Sequence, residues 1–566
     1  MYMDNIKKNN EDRIVLFVLP MLDPLIPPQG VVFIKTYLKE FGYEAKVCDA
    51  NTDDELLQLY YDYFEILKRN IPEERQGNIF NIGLDVWRNH LMAYINKVDE
   101  GAYDKLFGEI IKNTFFIEAD KDLKLQLDGI AKLFFYKIKA YVTSYVEEYN
   151  SKYVGLSAFK GNLPACIYAA RIIKKLNKDI QVIIGGGVFA DQLAIGSEDL
   201  EYFKKSTEAY IDKIIIGEGE KPFLKIIRGE NGNKRVFTPD DMNNTFMSFS
   251  EMKIPDMDDL HIDKYQYMAS FASVSCPFEC SFCNEVKYHG KYRKKMVDSL
   301  LNEKVFLYNK YGFQNFFMLD ALLNPIVDEL SEKVKKNNLP FYYDAYLRVE
   351  KSIPYERALK WRNGGFYRAR LGIESGSQNV LDMMGKKITP EMIRQSVTNL
   401  ANAGIKTTTF WVIGHPGETE EDFNKTLELL EELKDYIWQA ECNPFTYHYT
   451  GQTCSDIWSD KRRLVYNEEY REMLMSQTWA LDIYPQREII YDRLNRFVMK
   501  RKELGIPDPY TIVEINEADQ RWHRLHSNAV TPLLELLDFR NRFFNQKIQQ
   551  CNAENNMEVD IDDFNF

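Results

Sequence analysis

No stretch of the 566-residue chain is long and apolar enough to span a bilayer, and its mean hydropathy of -0.41 is that of a soluble globular protein. The first residues, MYMDNIKKNNEDR, lack the apolar core of a secretion signal. We therefore expect a cytoplasmic protein without a membrane partner.

The chain has few cysteines, and its basic residues are outnumbered by its acidic ones. The chain has 8 cysteines, too few and too irregularly placed for a disulfide framework, which indicates a reducing compartment. The formal net charge of -13 argues against a partner with a phosphate backbone, because nucleic acid binding needs a basic surface. The composition therefore excludes a disulfide-stapled protein and disfavours a nucleic acid binder.

Alternating strands and helices dominate the first part of the chain. RIVLFVLP (13–20) and YEAKVCDAN (43–51) are strand patterns on either side of an amphipathic helix, and the alternation resumes after residue 150. This order predicts a doubly wound, Rossmann-like parallel sheet within residues 1–235. Several amphipathic segments between 52 and 150 predict a helical insertion in that domain.

A second series of strands and helices follows a polar linker predicted at 236–268. Six strand–helix units within 269–455 predict a partial (β/α)6 barrel of the TIM type, with its active face at the carboxyl ends of the strands. Residues 456–566 predict a helical C-terminal domain that ends in an acidic tail. The predicted fold class is therefore α/β.

Small residues follow three strands of the first sheet. In such sheets ligands bind beyond the carboxyl ends of the strands, where small residues let a backbone approach closely. Three such loops favour a large flat or nucleotide-bearing ligand, although turns also use glycine for geometry alone. The candidate binding residues are Ser157, Asn162, Gly185, Gly186, Gly187, Gly217, Glu218 and Gly219.

The run SCPFECSFCNEV carries Cys276, Cys280 and Cys283 at a C-x3-C-x2-C spacing. Three thiolates from one tight loop would hold three irons of a [4Fe–4S] cluster and leave the fourth open to another ligand. The alternative is zinc, which usually takes a fourth thiolate or imidazole at a regular spacing. The other cysteines are distant in sequence and His289 is irregularly spaced, so the cluster is the favoured prediction.

Further motifs accompany the cysteines. They are LDALLN (319–324), GIESGS (372–377) and WVIGHPGE (411–418) in the barrel, and SAFKGN, IIGGG and GEGE in the first domain. With these motifs the chain resembles the radical S-adenosylmethionine (SAM) enzymes that carry an N-terminal cobalamin-binding-like domain, a class that includes methyltransferases. The resemblance covers roughly 13–50 and 150–450.

The resemblance implies a [4Fe–4S] cluster on the three cysteines, SAM at the open iron and cobalamin in the first domain. SAM would be cleaved reductively to methionine and a 5′-deoxyadenosyl radical, with an electron from a donor such as flavodoxin or ferredoxin. Three implied residues also have plainer explanations: a helix N-cap for Asp320, turn geometry for Gly414 and a surface ion pair for Arg348. The implied SAM-site residues are Phe282, Asp320, Asn324, Arg348, Glu374, Ser375, Ile413 and Gly414.

The first domain departs from one pattern of corrin-binding proteins. It lacks the motif D-x-H-x-x-G, and the loop after its first strand reads LPMLDPLIPPQG. The radical SAM members commonly lack that histidine, so the resemblance implies cobalamin without a histidine ligand from this loop. The alternative is a domain that keeps the fold without the cofactor.

These features predict cobalamin-dependent C-methylation of an unactivated carbon in a peptide or small-molecule natural product. One alternative is a radical SAM epimerase or cyclase that transfers no methyl group, and another is a non-enzymatic zinc protein. A tRNA methylthiotransferase is disfavoured, because the first domain offers only Cys48 and Cys166 for a second cluster and the C-terminus is acidic.

Two groups of side chains are candidates for contact with the substrate. Tyr447 and His448 follow the sixth barrel strand on the active face and are the candidate catalytic residues, able to touch substrate or relay a proton. A C-terminal set is a candidate cavity floor, with a purely structural role equally open: Trp479, Arg521, Trp522, His523 and His526.

Overall fold

The computed structural model describes most of the chain, and the structural statements below concern these residues: 13–20, 25–191, 193–230, 232–243, 247–249, 251–349, 353–448, 455–508 and 512–528. The predicted acidic tail lies outside them. Among the helices described, none is long and apolar enough to cross a membrane.

The N-terminal part alternates strands and helices around a helical insertion. Its first elements and the insertion are β1 Ile14–Val18, α1 Gln29–Glu40, β2 Ala45–Asp49, α2 Asp54–Asn70, α3 Glu73–Gln76, α4 Ile79–Asn96, α5 Glu100–Phe115 and α6 Lys121–Tyr149. The alternation then continues through β3 Tyr153–Ser157, α7 Leu163–Leu176, β4 Gln181–Gly185, α8 Glu198–Ser206, β5 Lys213–Ile215, α9 Glu220–Ile227 and β6 Val236–Phe237.

The first sheet is parallel throughout, in the order β2-β1-β3-β4-β5-β6. The fully apolar strand β1 is buried along its whole length, as a central strand of a sheet covered on both faces must be. The strand order reverses between β1 and β3, so the ligand crevice expected of such sheets lies beyond their carboxyl ends. The predicted doubly wound sheet is confirmed, and β6 extends it into the range predicted as a linker.

The insertion between β2 and β3 is helical, as predicted. Side-chain caps begin four of its helices: Asp53 for α2, Asn78 for α4, Asp99 for α5 and Asp120 for α6. The indole of Trp87 on α4 is buried and donates to the carbonyl of Gly161 at 2.9 Å. The insertion therefore packs directly on the loop that follows β3.

The second part of the chain contains the predicted series of strand–helix units. Its elements are β7 Met268–Ser270, β8 Ser273–Val274, α10 Glu285–His289, β9 Arg293–Lys294, α11 Val297–Tyr311, β10 Asn315–Met318, α12 Val327–Lys336, β11 Tyr342–Arg348, α13 Tyr355–Asn363, β12 Phe366–Glu374, α14 Gln378–Met383, α15 Pro390–Asn402, β13 Lys406–Ile413, α16 Glu420–Glu432 and β14 Gln439–Pro444. The C-terminal elements are β15 Arg462–Leu464, α17 Arg471–Leu474, β16 Trp479–Leu481, α18 Arg487–Glu503 and α19 Ile512–Leu525.

Six parallel strands form the barrel sheet, in the order β14-β13-β12-β11-β10-β7. This confirms the partial barrel, which has β7 and β14 as its two edges. The segment that leads to the cysteines forms two separate strands. β7 belongs to the barrel, whereas β8 pairs with β9 in a separate antiparallel hairpin.

The insertion covers the edge strand β14. Asn78, which caps α4, donates to the carbonyl of Cys442 at 2.6 Å, and Asn81 donates to the amide oxygen of Asn443 at 2.7 Å. Asn81 also donates to the carboxylate of Glu441 at 3.1 Å. Edge strands otherwise present unpaired backbone groups to solvent. A segment of the first domain thus caps the open side of the barrel.

The C-terminal helices pack around the same side of the barrel. The ring centres of Trp411 on β13 and Phe497 on α18 are 5.6 Å apart. Lys406, at the start of β13, forms a buried ion pair with Asp519 on α19 at 2.6 Å. Arg521 donates to the carbonyl of Ile437, just before β14. α19 therefore lies at the amino ends of the strands, opposite the active face.

Candidate functional site

The cysteine loop lies at the carboxyl ends of the barrel strands, closed by the β8–β9 hairpin. The hydroxyl of Ser275, just before the first cysteine, donates to the carbonyl of Gly290 at 2.6 Å. The backbone N–H of Ser281 donates to the carbonyl of Met384 at 3.0 Å, which ties the loop to the turn after β12 and α14. We call residues 275–295 the cluster hairpin.

The three thiols fit an iron–sulfur cluster by their chemistry and surroundings. Cys280 is buried, and Cys276 and Cys283 are half-buried. Burial raises the pKa of Cys283 to about 11 and also raises that of Cys276, so a bound metal must displace the thiol protons. Among the described residues, these cysteines included, no three His, Cys, Asp or Glu side chains are arranged so that they could hold a metal ion. The loop thus supplies the three thiols in sequence, without a preformed set of metal ligands.

Arg348 reaches the cysteine loop from the end of β11. Its guanidinium donates to the sulfur of Cys280 at 3.3 Å and lies 4.0 Å from the ring centre of Phe278. Arg348 is 7% exposed, so the alternative of a surface ion pair is wrong. The amide of Asn324 exchanges two hydrogen bonds with the backbone of Arg348, at 2.8 and 2.9 Å. Asn324 therefore positions Arg348, while Phe282 is half-buried within the loop itself.

Glu374 ends β12 with φ 67°, a strained backbone for a glutamate. Its carboxylate forms a buried ion pair with Lys386 at 2.9 Å, and Lys386 also donates to the carbonyl of Gly372 at 3.0 Å. The sequence argument missed Lys386, which follows the GIESGS motif after helix α14. Ser375 faces the interior instead, where its hydroxyl contacts that of Thr426 at 3.1 Å.

Asp320 bonds the segment that precedes the cysteines. It is fully buried, and its carboxylate accepts hydrogen bonds from the backbone N–H of Ala272 at 3.0 Å and the hydroxyl of Ser273 at 2.5 Å. Burial raises the pKa of Asp320 to about 6. No helix begins at Asp320, since α12 starts at Val327, so the N-cap explanation is wrong. The carboxylate thus bonds Ala272 and Ser273 at the point where the chain leaves the barrel sheet, between β7 and β8.

The fifth-strand motif folds back on itself. Ile413 is buried in the core, and its carbonyl accepts a hydrogen bond from the N–H of Phe445 at 2.7 Å. Gly414 has φ 85°, and a Cβ there would lie 2.4 Å from Ile490 on α18. Its N–H donates to the carboxylate of Glu418 at 2.9 Å. The glycine is therefore required by turn geometry and close packing together.

His415, inside the same motif, is a further residue that the sequence argument did not single out. It is 2% exposed, and its Nε2 lies 3.2 Å from the hydroxyl of Ser281 between the second and third cysteines. Burial lowers the pKa of His415 to about 4, so the imidazole is neutral at pH 7. Its ring packs edge-on against Phe445 and Trp458. His415 connects the fifth-strand turn to the cluster hairpin.

The small-residue loops of the first sheet pack against one another. Asn162 is buried and donates to the carbonyls of Leu19 and Ser157, both at 3.0 Å, so it ties the loops after β1 and β3 together at the switch point. Gly186 has φ 113°, and a Cβ there would lie 2.5 Å from the carbonyl oxygen of Ala158. Gly185 and Gly187 flank it in the loop after β4. These loops form a compact floor at the crevice.

The loop Gly217–Gly219, after β5, contacts the cluster hairpin. The carboxylate of Glu218 forms an ion pair with Arg293 on β9 at 2.7 Å and accepts from the N–H of Met247 at 2.7 Å. Arg293 also donates to the carbonyl of Met247 at 3.0 Å. The carboxyl end of the first sheet therefore meets the cysteine loop of the barrel.

A cleft lies where the two domains and the C-terminal region meet. It has about 930 Å³ of space, including its open mouth. Tyr447 and His448 line it, and burial lowers the pKa of His448, which leaves the imidazole neutral and able to accept a proton. Other lining residues are Asp85, Arg88, Lys160, Asp191, Gly414, Pro416, Gln477 and Trp479.

Only part of the predicted C-terminal cavity floor is found at this cleft. Trp479 lines it. Arg521, Trp522 and His526 instead pack beneath the barrel, where His526 contacts the carbonyl of Asp435 at 2.8 Å. His523 is exposed on the same helix. The structural role that the sequence left open is therefore the one observed for α19.

Comparison with known proteins matches the site to a superfamily. Residues 272–430 match the Radical SAM superfamily. The chain is 26% identical over 357 residues to an uncharacterized methyltransferase of Pyrococcus horikoshii, covering 58% of this chain and 74% of the relative. It is 24% identical over 390 residues to an anaerobic magnesium-protoporphyrin IX monomethyl ester cyclase of Rubrivivax gelatinosus, covering 62% of this chain and 67% of the relative.

Solved structures share the fold of nearly the whole chain. TsrM, a radical SAM methyltransferase from Kitasatospora setae solved with a tryptophan substrate and a SAM analogue, has a TM-score of 0.60 at 12% identity, covering 95% of this chain and 99% of that one. The cobalamin-dependent radical enzyme OxsB, solved with aqua-cobalamin and SAM, has a TM-score of 0.51 at 12% identity, covering 90% of this chain and 66% of that one. Residues 272–430, which contain the three-cysteine loop, therefore match the Radical SAM superfamily, and nearly the whole chain shares its fold with these two structures.

Proposed function

We propose that this protein is a cobalamin-dependent radical SAM methyltransferase that acts on an unactivated carbon of a peptide or small-molecule natural product. The observation that carries the proposal is that the carboxyl end of the first sheet contacts the cluster hairpin of the barrel. Glu218, from the carboxyl end of the Rossmann-like sheet, is bonded to Arg293 in the cluster hairpin. A corrin above one face and SAM above the other would therefore share one enclosed space.

The chain's own residues divide into holding and positioning roles. Cys276, Cys280 and Cys283 would hold the [4Fe–4S] cluster, and the loops after β3, β4 and β5 would hold the corrin. When bound, the cluster supplies the electron that cleaves SAM to methionine and a 5′-deoxyadenosyl radical, and the corrin supplies a methyl carrier. Arg348 fixes the position of Cys280 by a hydrogen bond to its sulfur.

SAM binding is assigned to the buried charges beyond β12. Glu374 and Lys386 offer opposite charges side by side, which suits a ligand that carries both an ammonium and a carboxylate. The cleft would exclude water from a reactive radical, and Tyr447 and His448 on its wall would hold or move a proton of the substrate.

The relatives support this proposal over its alternatives. TsrM is described as a radical SAM methyltransferase and OxsB as cobalamin-dependent, and the Pyrococcus horikoshii relative is described as a methyltransferase. The Rubrivivax gelatinosus relative is a cyclase, which keeps a rearranging reaction without methyl transfer as the second candidate. The free cysteines of the described residues and the oxygen-sensitive cluster favour a reducing compartment such as the cytoplasm.

An electron donor is also required, and we assign its docking surface to the cluster hairpin. Lys287, Lys291 and Lys294 are exposed on this short segment, although the whole chain has a net charge of -13. The two other basic residues nearby are engaged, Arg293 with Glu218 and Lys295 with Glu303. An acidic one-electron carrier such as a flavodoxin or ferredoxin fits this basic surface next to the cysteines.

The test is anaerobic purification, reconstitution with iron, sulfide and hydroxocobalamin, and measurement of both cofactors after desalting. We expect about four irons and one corrin per chain, with the iron lost in Cys276→Ala, Cys280→Ala or Cys283→Ala and retained in the control Cys48→Ala. Cluster without corrin would favour the rearranging alternative. Absence of a cluster, or zinc in its place, would refute the proposal.

A further inference from the structure

The cleft contains one polar side chain that has no partner. Gln477 is 3% exposed and lines the cleft, and neither the nitrogen nor the oxygen of its side-chain amide has a hydrogen-bond partner among the described residues. Buried amides are nearly always hydrogen-bonded, because an unpaired donor and acceptor have lost water without replacement. The amide of Gln477 is therefore a candidate contact for a ligand group.

The position of Gln477 is fixed by its neighbours. Asp199 on α8, itself 1% exposed, accepts hydrogen bonds from the backbone N–H of Gln477 and from the indole of Trp479, the latter at 3.3 Å. Arg471 also donates to Asp199 at 3.3 Å. The backbone N–H of Gln477 and the indole two residues later are thus anchored to the first domain, and the Gln477 side chain lines the cleft.

We propose that Gln477 binds a carboxamide group of a ligand in this cleft. The proposal rests on the function proposed above and specifies one contact of the site. A glutamine amide offers N–H donors and a carbonyl acceptor in one plane, and a second amide is complementary to both at once. A carboxylate has no donor and an ammonium has no acceptor, so either would leave half of Gln477 unpaired.

A buried cation next to Gln477 favours the same orientation of the ligand. Arg88 on α4 is 3% exposed and donates to the side-chain oxygens of Asn89, at 2.7 Å, and Thr478, at 3.2 Å. It forms no ion pair with a carboxylate within the described residues. Its positive charge, adjacent to the residue after Gln477, favours the carbonyl end of an amide on that side.

The cleft places this carboxamide close to the chemistry. Gly414 and Pro416 line the cleft, while His415 between them turns the other way and contacts Ser281 in the cluster hairpin. Lys160 and Asp191, from the loops after β3 and β4, also line it. A group bound to Gln477 therefore shares the cleft with residues of the fifth-strand turn and of the loops at the crevice of the first sheet.

Two sources could supply the carboxamide: the peripheral amides of a corrin, or an amide bond of the substrate. We would measure the affinity of the reconstituted full-length protein for two probes, hydroxocobalamin by its absorbance and N-acetyl-L-phenylalaninamide by ligand-observed NMR. The variants are Gln477→Leu, which keeps the volume, and Gln477→Glu, which keeps only acceptors. The control is Gln395→Leu, a glutamine exposed on α15.

We expect both Gln477 variants to bind one of the two probes about tenfold to a hundredfold more weakly than wild type, with the Gln395→Leu control unchanged. A loss confined to hydroxocobalamin assigns the contact to the corrin, and a loss confined to the peptide probe assigns it to the substrate. Equal affinities in wild type and variants, or a wild type that binds neither probe, would overturn the proposal. Iron content and SAM cleavage, recorded separately on wild type, would show a failure of the proposed function itself.

Discussion

The guanidinium of Arg293 lies 2.7 Å from the carboxylate of Glu218, across the boundary between the two α/β domains. Both side chains are about four-fifths buried, and both also bond the backbone of Met247, Glu218 as acceptor and Arg293 as donor. One ion pair thus fixes the loop after β5, the segment leading to the barrel and the cluster hairpin relative to each other.

This relationship predicts a measurable coupling between the domains. Arg293→Met and Glu218→Gln should each lower the thermal stability of the anaerobic holoenzyme and speed the loss of its cluster. A double-mutant cycle should give a coupling energy of about 1 kcal/mol, because the pair is partly shielded from solvent. The matched control is the exposed pair Arg394 and Glu432, at 2.8 Å, for which we expect a smaller coupling. Equal couplings would contradict the bridging role.

Lys386→Met should weaken SAM binding by about tenfold or more. The substitution leaves the buried carboxylate of Glu374 without its ionic partner, and uncompensated buried charge is costly. The neighbouring Lys387 is exposed, so Lys387→Met is the control with the same chemical change one residue away. Equilibrium binding of SAM to the reconstituted enzyme provides the measurement, and an unchanged affinity in Lys386→Met would remove Lys386 from the SAM site.

Lys304→Met should stabilise the protein at pH 7. Lys304 is fully buried, with its ammonium 3.2 Å from the sulfur of Met318 and 3.9 Å from the ring of Phe316, and burial lowers its pKa to about 7. The unfolded chain therefore binds the extra proton between about pH 7 and pH 10.4, so wild-type stability rises with pH across that window.

The expected gain for Lys304→Met is on the order of a few kcal/mol at pH 7 and shrinks toward pH 10. Denaturant midpoints at the two pH values measure it. Lys336 is exposed at the end of α12, and Lys336→Met should show neither the gain nor its pH dependence. A gain that is the same at both pH values would mean that packing, and not the buried ammonium, is responsible.

Charge reversal on the cluster hairpin should slow reduction by a protein donor only. In the triple variant Lys287→Glu, Lys291→Glu, Lys294→Glu we expect SAM cleavage supported by reduced flavodoxin to fall at least about tenfold, while cleavage supported by dithionite is retained. The wild-type rate with flavodoxin should also fall as salt is added.

The control for that experiment reverses three exposed lysines on α6, which belongs to the helical insertion: Lys121, Lys132 and Lys139. It has the same change in net charge at a different place. If both triple variants lose the same activity with flavodoxin, the effect comes from overall charge and the hairpin is not the docking surface.

The sequence predicted the elements whose signal is local. Apolar strands such as β1 and the amphipathic helices of the insertion follow from hydrophobic periodicity, and the cysteine spacing needs only one loop. The break between β7 and β8 could not be predicted this way. It depends on the carboxylate of Asp320, which is distant in sequence and reaches back to Ala272 and Ser273.

The sequence predicted which residues lie near the cysteine loop better than it predicted what each of them contacts. Glu374 and Arg348 lie where the motifs place them, but Asn324 holds the backbone of Arg348 and Ser375 faces the interior. Lys386 was missed because its partner Glu374 precedes it by a full helix and turn. Such pairings are tertiary, and a motif shows only which residue types are present.

The asparagines that join the insertion to β14 also determine whether the two domains can be expressed separately. Asn78 and Asn81 come from the first domain, yet they complete the hydrogen bonding of a strand that is formed some 360 residues later. A barrel expressed without the first domain would expose that strand to self-association. The two domains therefore depend on each other. A chimera that takes the Rossmann-like domain from a related enzyme must also take the matching insertion and barrel edge strand from that enzyme.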